Sequence, residues 1–250
     1  MTRSALLGEY RRLLEQLERV YRDFEGGITP ARPFPAGSRG SIIRLPVRNA
    51  SHAIILKLAA MINFLYGALE LCESGLVLGQ GALERMADEA GEDVAFLALG
   101  LINGMTPRHH EFLDYFWRED FTDFDDIPGS FQSRPQVPRQ KIVAAIHSIS
   151  ANPSAGNAAA KVLSKSYSGF VHASAPCVME IYDPRQNRFG VSEAPEYRRS
   201  EHENDLWNYM YRGANALMFA AKAFGSQRHF DLLKKCLDEF QRRTGRRGDD

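Results

Sequence analysis

The chain has 250 residues and a mass of 28.1 kDa, enough for one large hydrophobic core or two small ones, and 44% apolar with 25% charged residues is ordinary globular usage. That balance excludes a disordered chain, a collagen and a coiled-coil rod. Thirty-one basic residues meet thirty-one acidic ones, so no global positive field draws the chain to nucleic acid or to an anionic membrane, and any such site has to be a local patch.

In chain order, Leu6, Leu7, Tyr10, Leu13, Leu14, Leu17, Val20, Tyr21 and Phe24 recur at helical spacing, which predicts an amphipathic helix ended by Gly26 and Gly27. Its interspersed charges are unlike a secretory leader. Residues 28 to 48 carry Pro30, Pro33, Pro35 and Pro46 and read as an irregular arm, in which only 41 to 45 suits a short strand. A helix is expected from Ser51, as N-cap, to Cys72; its Lys57, Asn63 and Glu70 mark a buried helix rather than a membrane span. The next runs from Val77 to Asn103, with Leu83, Met86, Ala87, Ala90, Val94, Leu97, Ala98 and Leu101 on one stripe. A short helix through Trp117 precedes an acidic loop over 119 to 136. Helices follow over 138 to 150 and 155 to 173, split by Asn152 and Pro153, then a short one through Ile181 before an Asp183-Pro184 turn. Two more, over 200 to 224 and 227 to 243, flank Gly225.

The fold class predicted is therefore all-α: one domain over 1 to 245, a bundle of seven to eight helices with a long arm at 26 to 48 and a frayed tail over 246 to 250. Leu83, Val94, Leu97, Val162, Phe170, Leu217 and Phe224 are expected in one core. Cys72, Cys177 and Cys236 lie far apart with no C-x-x-C pair, so neither a disulfide framework nor a zinc site is indicated, and the cytoplasm is the expected compartment.

On the helix over 77 to 103, an advance of about 100° per residue places Arg85, Glu89, Glu92 and Phe96 on one strip opposite the apolar stripe, with Asp93 at its edge. A solvated face with an Arg85–Glu89 ion pair is one account. Phe96 among the charges favours the other, in which a second helix or subunit covers the strip and its carboxylates must be paired. The stretch 209 to 225 is apolar nearly all round and takes Arg212 and Asn215 inward, where Arg212 needs Glu89, Glu92 or Asp93. On the helix over 155 to 173 the expected core stripe is Ala155, Ala159, Val162, Leu163, Ser166 and Phe170. His172 points away from it, beside Lys161 and Lys165, as either a helix-end cap or a general base and phosphate contact. His109, His110, Glu111 and Asp114 imitate a metal cluster without a zinc-enzyme spacing. Asp120, Asp123, Asp125 and Asp126 lack the pattern of a calcium loop and read as solvated. No phosphate-loop, dinucleotide or nucleophile-elbow motif occurs, so neither metal nor cofactor is expected.

Two stretches, GLVLGQGALERMADEAGEDVAFLALG (75 to 100) and SYSGFVHASAPCVMEIYD (166 to 183), resemble bacterial helical proteins related to the HEPN superfamily of nucleotide-binding and ribonuclease bundles. The resemblance implies a homodimer that binds or acts on RNA or nucleotides in a toxin or phage-defence setting. Its chemistry would be a metal-independent ribonuclease with His172, Tyr167 and Lys165 at the site. The superfamily's R-x(4–6)-H motif is absent, so the phosphate-holding cation would be Lys165, Arg85 or Arg212. The reading from another class is a non-catalytic helical interaction or dimerisation module whose charged strip is the interface, which the neutral balance favours. Neither reading involves a membrane.

Overall fold

A computed structural model describes residues 2–121, 123–132, 136–149 and 152–246, the side chains of Arg39 and Ala159 excepted. The fold is all-α. Among the described residues the helices are α1 (Arg3–Glu25), α2 (Ala50–Glu73), α3 (Val77–Asn103), α4 (Pro107–Trp117), α5 (Arg139–His147), α6 (Pro153–Val171), α7 (Ala175–Val178), α8 (Glu196–Ala223) and α9 (Gln227–Thr244). That is nine where a bundle of seven to eight was expected, and each matches a helix expected in chain order, α7 being the short one before the Asp183-Pro184 turn. Two small antiparallel hairpins complete the chain: β1 (Arg32–Pro35) with β2 (Ser41–Arg44), and β3 (Tyr182–Asp183) with β4 (Arg188–Phe189). Part of the expected tail, 247 to 250, lies outside the described residues.

Local chemistry sets the helix ends. Asn49 rather than Ser51 caps α2, its Oδ1 accepting the His52 N–H at 3.0 Å, so the helix starts one residue before Ser51. Gly75 closes the same helix at φ +71°, which lets the Leu76 N–H return to the Leu71 carbonyl at 2.9 Å. On α6, Asn152 accepts the Ala155 N–H at 3.1 Å and Pro153 occupies the first turn.

The core is one contiguous cluster in which α3 is the hub, packed along its length between α2 and α8 and flanked by α4, α5 and α6. Tyr10, Leu14 and Leu17 of α1, Ile54, Leu58, Leu65 and Leu69 of α2, Val94 and Leu97 of α3, and Leu206 and Leu217 of α8 are fully buried within it. Among the described helices α2 is the one long and apolar enough to cross a membrane by length and composition, and these buried leucines face the bundle. Leu83 and Phe224 are half-buried against the core, while Met86 and Leu101 are exposed at the edges of α3.

The predicted stripe of α6 is corrected. Val162 is 66% exposed, Leu163 is 42% exposed, and Ala155 and Ser166 also face outward; the Ala159 side chain lies outside the described residues. The buried side carries Ala160, Ser164 and Tyr167, and Phe170 is half-buried with its ring directly on Gly81 of α3, where a Cβ would come within 2.7 Å of the ring. Polar anchors decide the rotation: Ser164 meets Arg85 of α3 at 2.9 Å and the Tyr167 hydroxyl donates to Asp205 of α8 at 3.1 Å.

The acidic loop is a fastening rather than a freely solvated segment. Glu119 accepts both Nε and Nη2 of Arg44 at 2.9 Å and Nη2 of Arg48 at 3.1 Å, and Asp125 accepts the Ser38 N–H at 2.9 Å. These bonds tie the arm to the loop.

Phe96 shows how α4 docks. Its ring stacks on His109 with centroids 4.1 Å apart and meets Phe112 edge-on at 5.8 Å. His109 Nδ1 accepts the Thr106 N–H at 3.0 Å, which places the ring hydrogen on Nε2, 3.1 Å from the Phe96 carbonyl; burial lowers the imidazole's pKa and keeps it neutral. Phe96→Ala should therefore cost about 3–5 kcal/mol, read as a lower midpoint in urea unfolding with an unchanged slope.

Candidate functional site

Over three turns of α3 stand one arginine, Arg85, and four carboxylates, Asp88, Glu89, Glu92 and Asp93. Three neighbouring helices each supply a cation. From α2, Lys57 Nζ lies 2.7 Å from Asp93. From α5, Arg139 pairs with the other oxygen of Asp93 and donates to the Glu89 carbonyl at 2.9 Å. From α8, Arg212 Nη2 lies 2.6 Å from Asp88 and 3.6 Å from Glu92 Oε1. Arg85 pairs with Glu89, stands 3.6 Å from Asp88 and donates to Ser164. Four cations thus face four carboxylates. Except for Glu89 the acids are largely out of water, where charges have to be matched.

The covered-strip account therefore describes this face, and Arg85, Glu89, Glu92, Asp93 and Arg212 share one cluster. The principal partner of Arg212 is Asp88, not Glu89, Glu92 or Asp93, because α8 passes the side of α3 that carries Asp88, Gly91 and Ala95. Asn215 lies one turn further along α8, half-buried, and donates to the Tyr211 carbonyl at 2.9 Å. Asp88, Lys57 and Arg139 did not emerge from spacing. Asp88, three residues after Arg85, was detectable as its near neighbour; the partners on other helices carry no sequence signal of their own.

Glu92 stands apart within the cluster. Its Oε2 is buried with no hydrogen-bond partner, although the Arg139 Nε lies 3.7 Å away. Burial first, and then the neighbouring Asp88, push its pKa up to about 7 against the pull of the arginines. Burial also raises Asp88, opposed by Arg212 and Arg85. A cavity of about 180 Å³ opens beside these two acids between α3, α5 and α8.

One turn before Asp88, Glu84 is fully buried. Its Oε1 accepts from Gln80 at 2.7 Å, its Oε2 has no partner, and burial holds its carboxyl well above the usual carboxylate range. Burial thus favours the protonated form of this acid.

The residues proposed for catalysis are not assembled. His172 ends α6, exposed, with its backbone N–H 3.3 Å from the Ser168 carbonyl; Lys165 is exposed on the same side. Tyr167 lies about 140° around the helix from His172 and turns inward to Asp205, its ring edge-on to Tyr209 at 5.2 Å. Arg85 is buried beneath α6, on the side away from His172. His109 is committed to Thr106 and Phe96, and among the described residues no group of three or more His, Cys, Asp or Glu side chains is placed to hold a metal.

Arg212→Met should leave Asp88 buried with Arg85 alone at 3.6 Å and cost about 3 kcal/mol in urea unfolding at pH 7. A second outcome concerns pH. Because the folded state keeps the Glu84 proton above the ordinary 4.5, it binds more protons than the unfolded chain as pH rises, and this group's stability, complete below that value, is lost progressively above it. Glu84→Gln should melt with wild type near pH 4 and above it at pH 8. No family model, curated protein or solved structure matches the chain.

Proposed function

We propose that the chain is a non-catalytic helical interaction module that pairs with a second copy of itself through the outward face of α6. The observation that carries this reading is an apolar helix face with nothing over it. Val162 and Leu163 stand exposed, and Ala155 and Ala158 continue the face toward the start of the helix. Contiguous apolar surface of this kind marks an interaction site rather than a hydrated exterior.

The charges around it suggest how the copies meet. Lys161, Lys165 and His172 run along one edge, and α6 contains no carboxylate. Two α6 helices laid face to face would oppose lysine to lysine. The matching surface is the acidic loop, where Asp120, Asp123, Asp125 and Asp126 lie near the 64% exposed ring of Phe131, Glu119 being taken by Arg44 and Arg48. A two-fold axis makes that loop-to-helix contact twice, which closes the assembly as a dimer. A dimer is also what the HEPN-like stretches imply. The ribonuclease chemistry they imply has weaker support, since neither Tyr167 nor an arginine shares the face of His172. A reducing cytoplasm suits three cysteines that stand as separate thiols.

Light scattering of the wild-type chain at micromolar concentration should give a dimer, and Val162→Glu a monomer of unchanged melting temperature. A monomeric wild type at high micromolar concentration overturns the reading. If that monomer binds single-stranded RNA and Lys165→Glu abolishes the binding, the lysine edge is a nucleic-acid contact instead.

A further inference from the structure

We propose that the slot bounded by α2, α3, α4 and the start of α5 binds a neutral aromatic compound whose edge carries a hydrogen-bond donor beside an acceptor, as an aromatic carboxamide does. Residue size makes the slot. Ala60 on α2 and Ala90 on α3 are too short to fill the gap between their helices and the chain entering α5. The resulting volume of about 410 Å³ falls among small-molecule sites, which span roughly 300–1,000 Å³. Phe64 of α2 and Phe116 of α4 line it half-buried, so part of each ring is open to a second ring. Met86 and Pro138 are exposed at its lip, which leaves a way in.

Two accessible charged side chains form the polar end. Glu89 is the acid of the α3 cluster that water reaches, its side chain being 44% exposed, and it lines this slot and not the cavity beside Glu92. Its Oε1 is taken by Arg85, with the Arg139 Nε at 4.0 Å, while its Oε2 accepts no hydrogen bond among the described residues. Lys57 reaches the slot from α2. Its ammonium gives a hydrogen to Asp93 at 2.7 Å and lies 5.2 Å from the centroid of the Phe116 ring, which leaves further hydrogens on a side chain that is 25% exposed. Acceptor and donor both stand beside Asp93, Glu89 one turn before it on α3 and Lys57 in contact with it.

Charge then fixes the class of ligand. Lys57 and Arg139 face Glu89 and Asp93 around the slot, so its lining charges cancel. A carboxylate ligand would meet Glu89, and an ammonium ligand would meet Lys57 and Arg139. A neutral N–H instead donates to the open oxygen of Glu89, and the carbonyl beside it accepts from Lys57, with no charge added. The aromatic walls take the ring.

Benzamide is the probe. Titrated into the full-length chain at pH 7, it should shift the amide resonances of Ala60 and Ala90 saturably, and toluene, the same ring without the polar edge, should bind about tenfold or more weakly. Glu89→Leu should bring the two affinities together. Ala60→Phe fills the slot without removing a polar contact and should block both ligands. Absence of saturable shifts, equal affinity for benzamide and toluene in wild type, tighter binding of benzoate or benzylammonium than of benzamide, an unchanged preference in Glu89→Leu, or undiminished binding in Ala60→Phe would each overturn the proposal. The slot contains no residue of α6, so Val162→Glu should bind benzamide as wild type does, whether or not the chain dimerises.

Discussion

Charge matching on α3 is the constraint from which the rest of this bundle follows. Four acids within six residues of one buried helix have no access to bulk water, apart from Glu89, so three of the helices packed on it present a cation at the matching height. Lys57, Arg139 and Arg212 do so from three directions. Such a cluster adds little net stability relative to an apolar filling of the same volume, because desolvating the ions offsets most of their attraction. Its effect is on register. A slip of α8 by one turn would move Arg212 about 5.4 Å from Asp88 and strand both charges, a penalty that an all-apolar interface would not impose.

This division between local and tertiary causes explains what the sequence made legible. Helix boundaries depend on neighbours in the chain: Gly26, Gly75, Gly104, Asn152-Pro153 and Gly225 all act within one turn, and α3 begins and ends where periodicity and its breakers place it. The Arg85–Glu89 pair was legible for the same reason, being one turn long. Arg139 and Lys57 were not, since their roles exist only once α5 and α2 are docked. On α6 the apolar period misled. Its alanines and serines define no strong face, and the side chains that fix its rotation, Ser164 and Tyr167, are polar groups whose partners lie 79 and 38 residues away.

The two sides of α6 consequently serve different ends. The inner side is joined through Ser164 to the charged cluster and through Tyr167 to α8, while the outer side keeps Val162, Leu163, the lysines and the terminal histidine at the surface. A substitution on the outer side leaves the inner anchors in place, so it spares the packing of the helix. The cavity beside Glu92 lies further along the side of α3 that carries Gly81, and His147 at its wall packs on Gly156 of α6, so the cavity and α6 are neighbours.

The fastening between the arm and the acidic loop has its own thermodynamic consequence. Ser38 and Asp125 are 87 residues apart, and Arg44, Arg48 and Glu119 extend the same seam, yet most of these groups are exposed. Exposed ion pairs are screened by salt, whereas the buried cluster on α3 is not. Arm and loop thus form one cooperative opening unit of low local stability. As ionic strength rises that unit exchanges its amide hydrogens together, well before the bundle beneath it loosens.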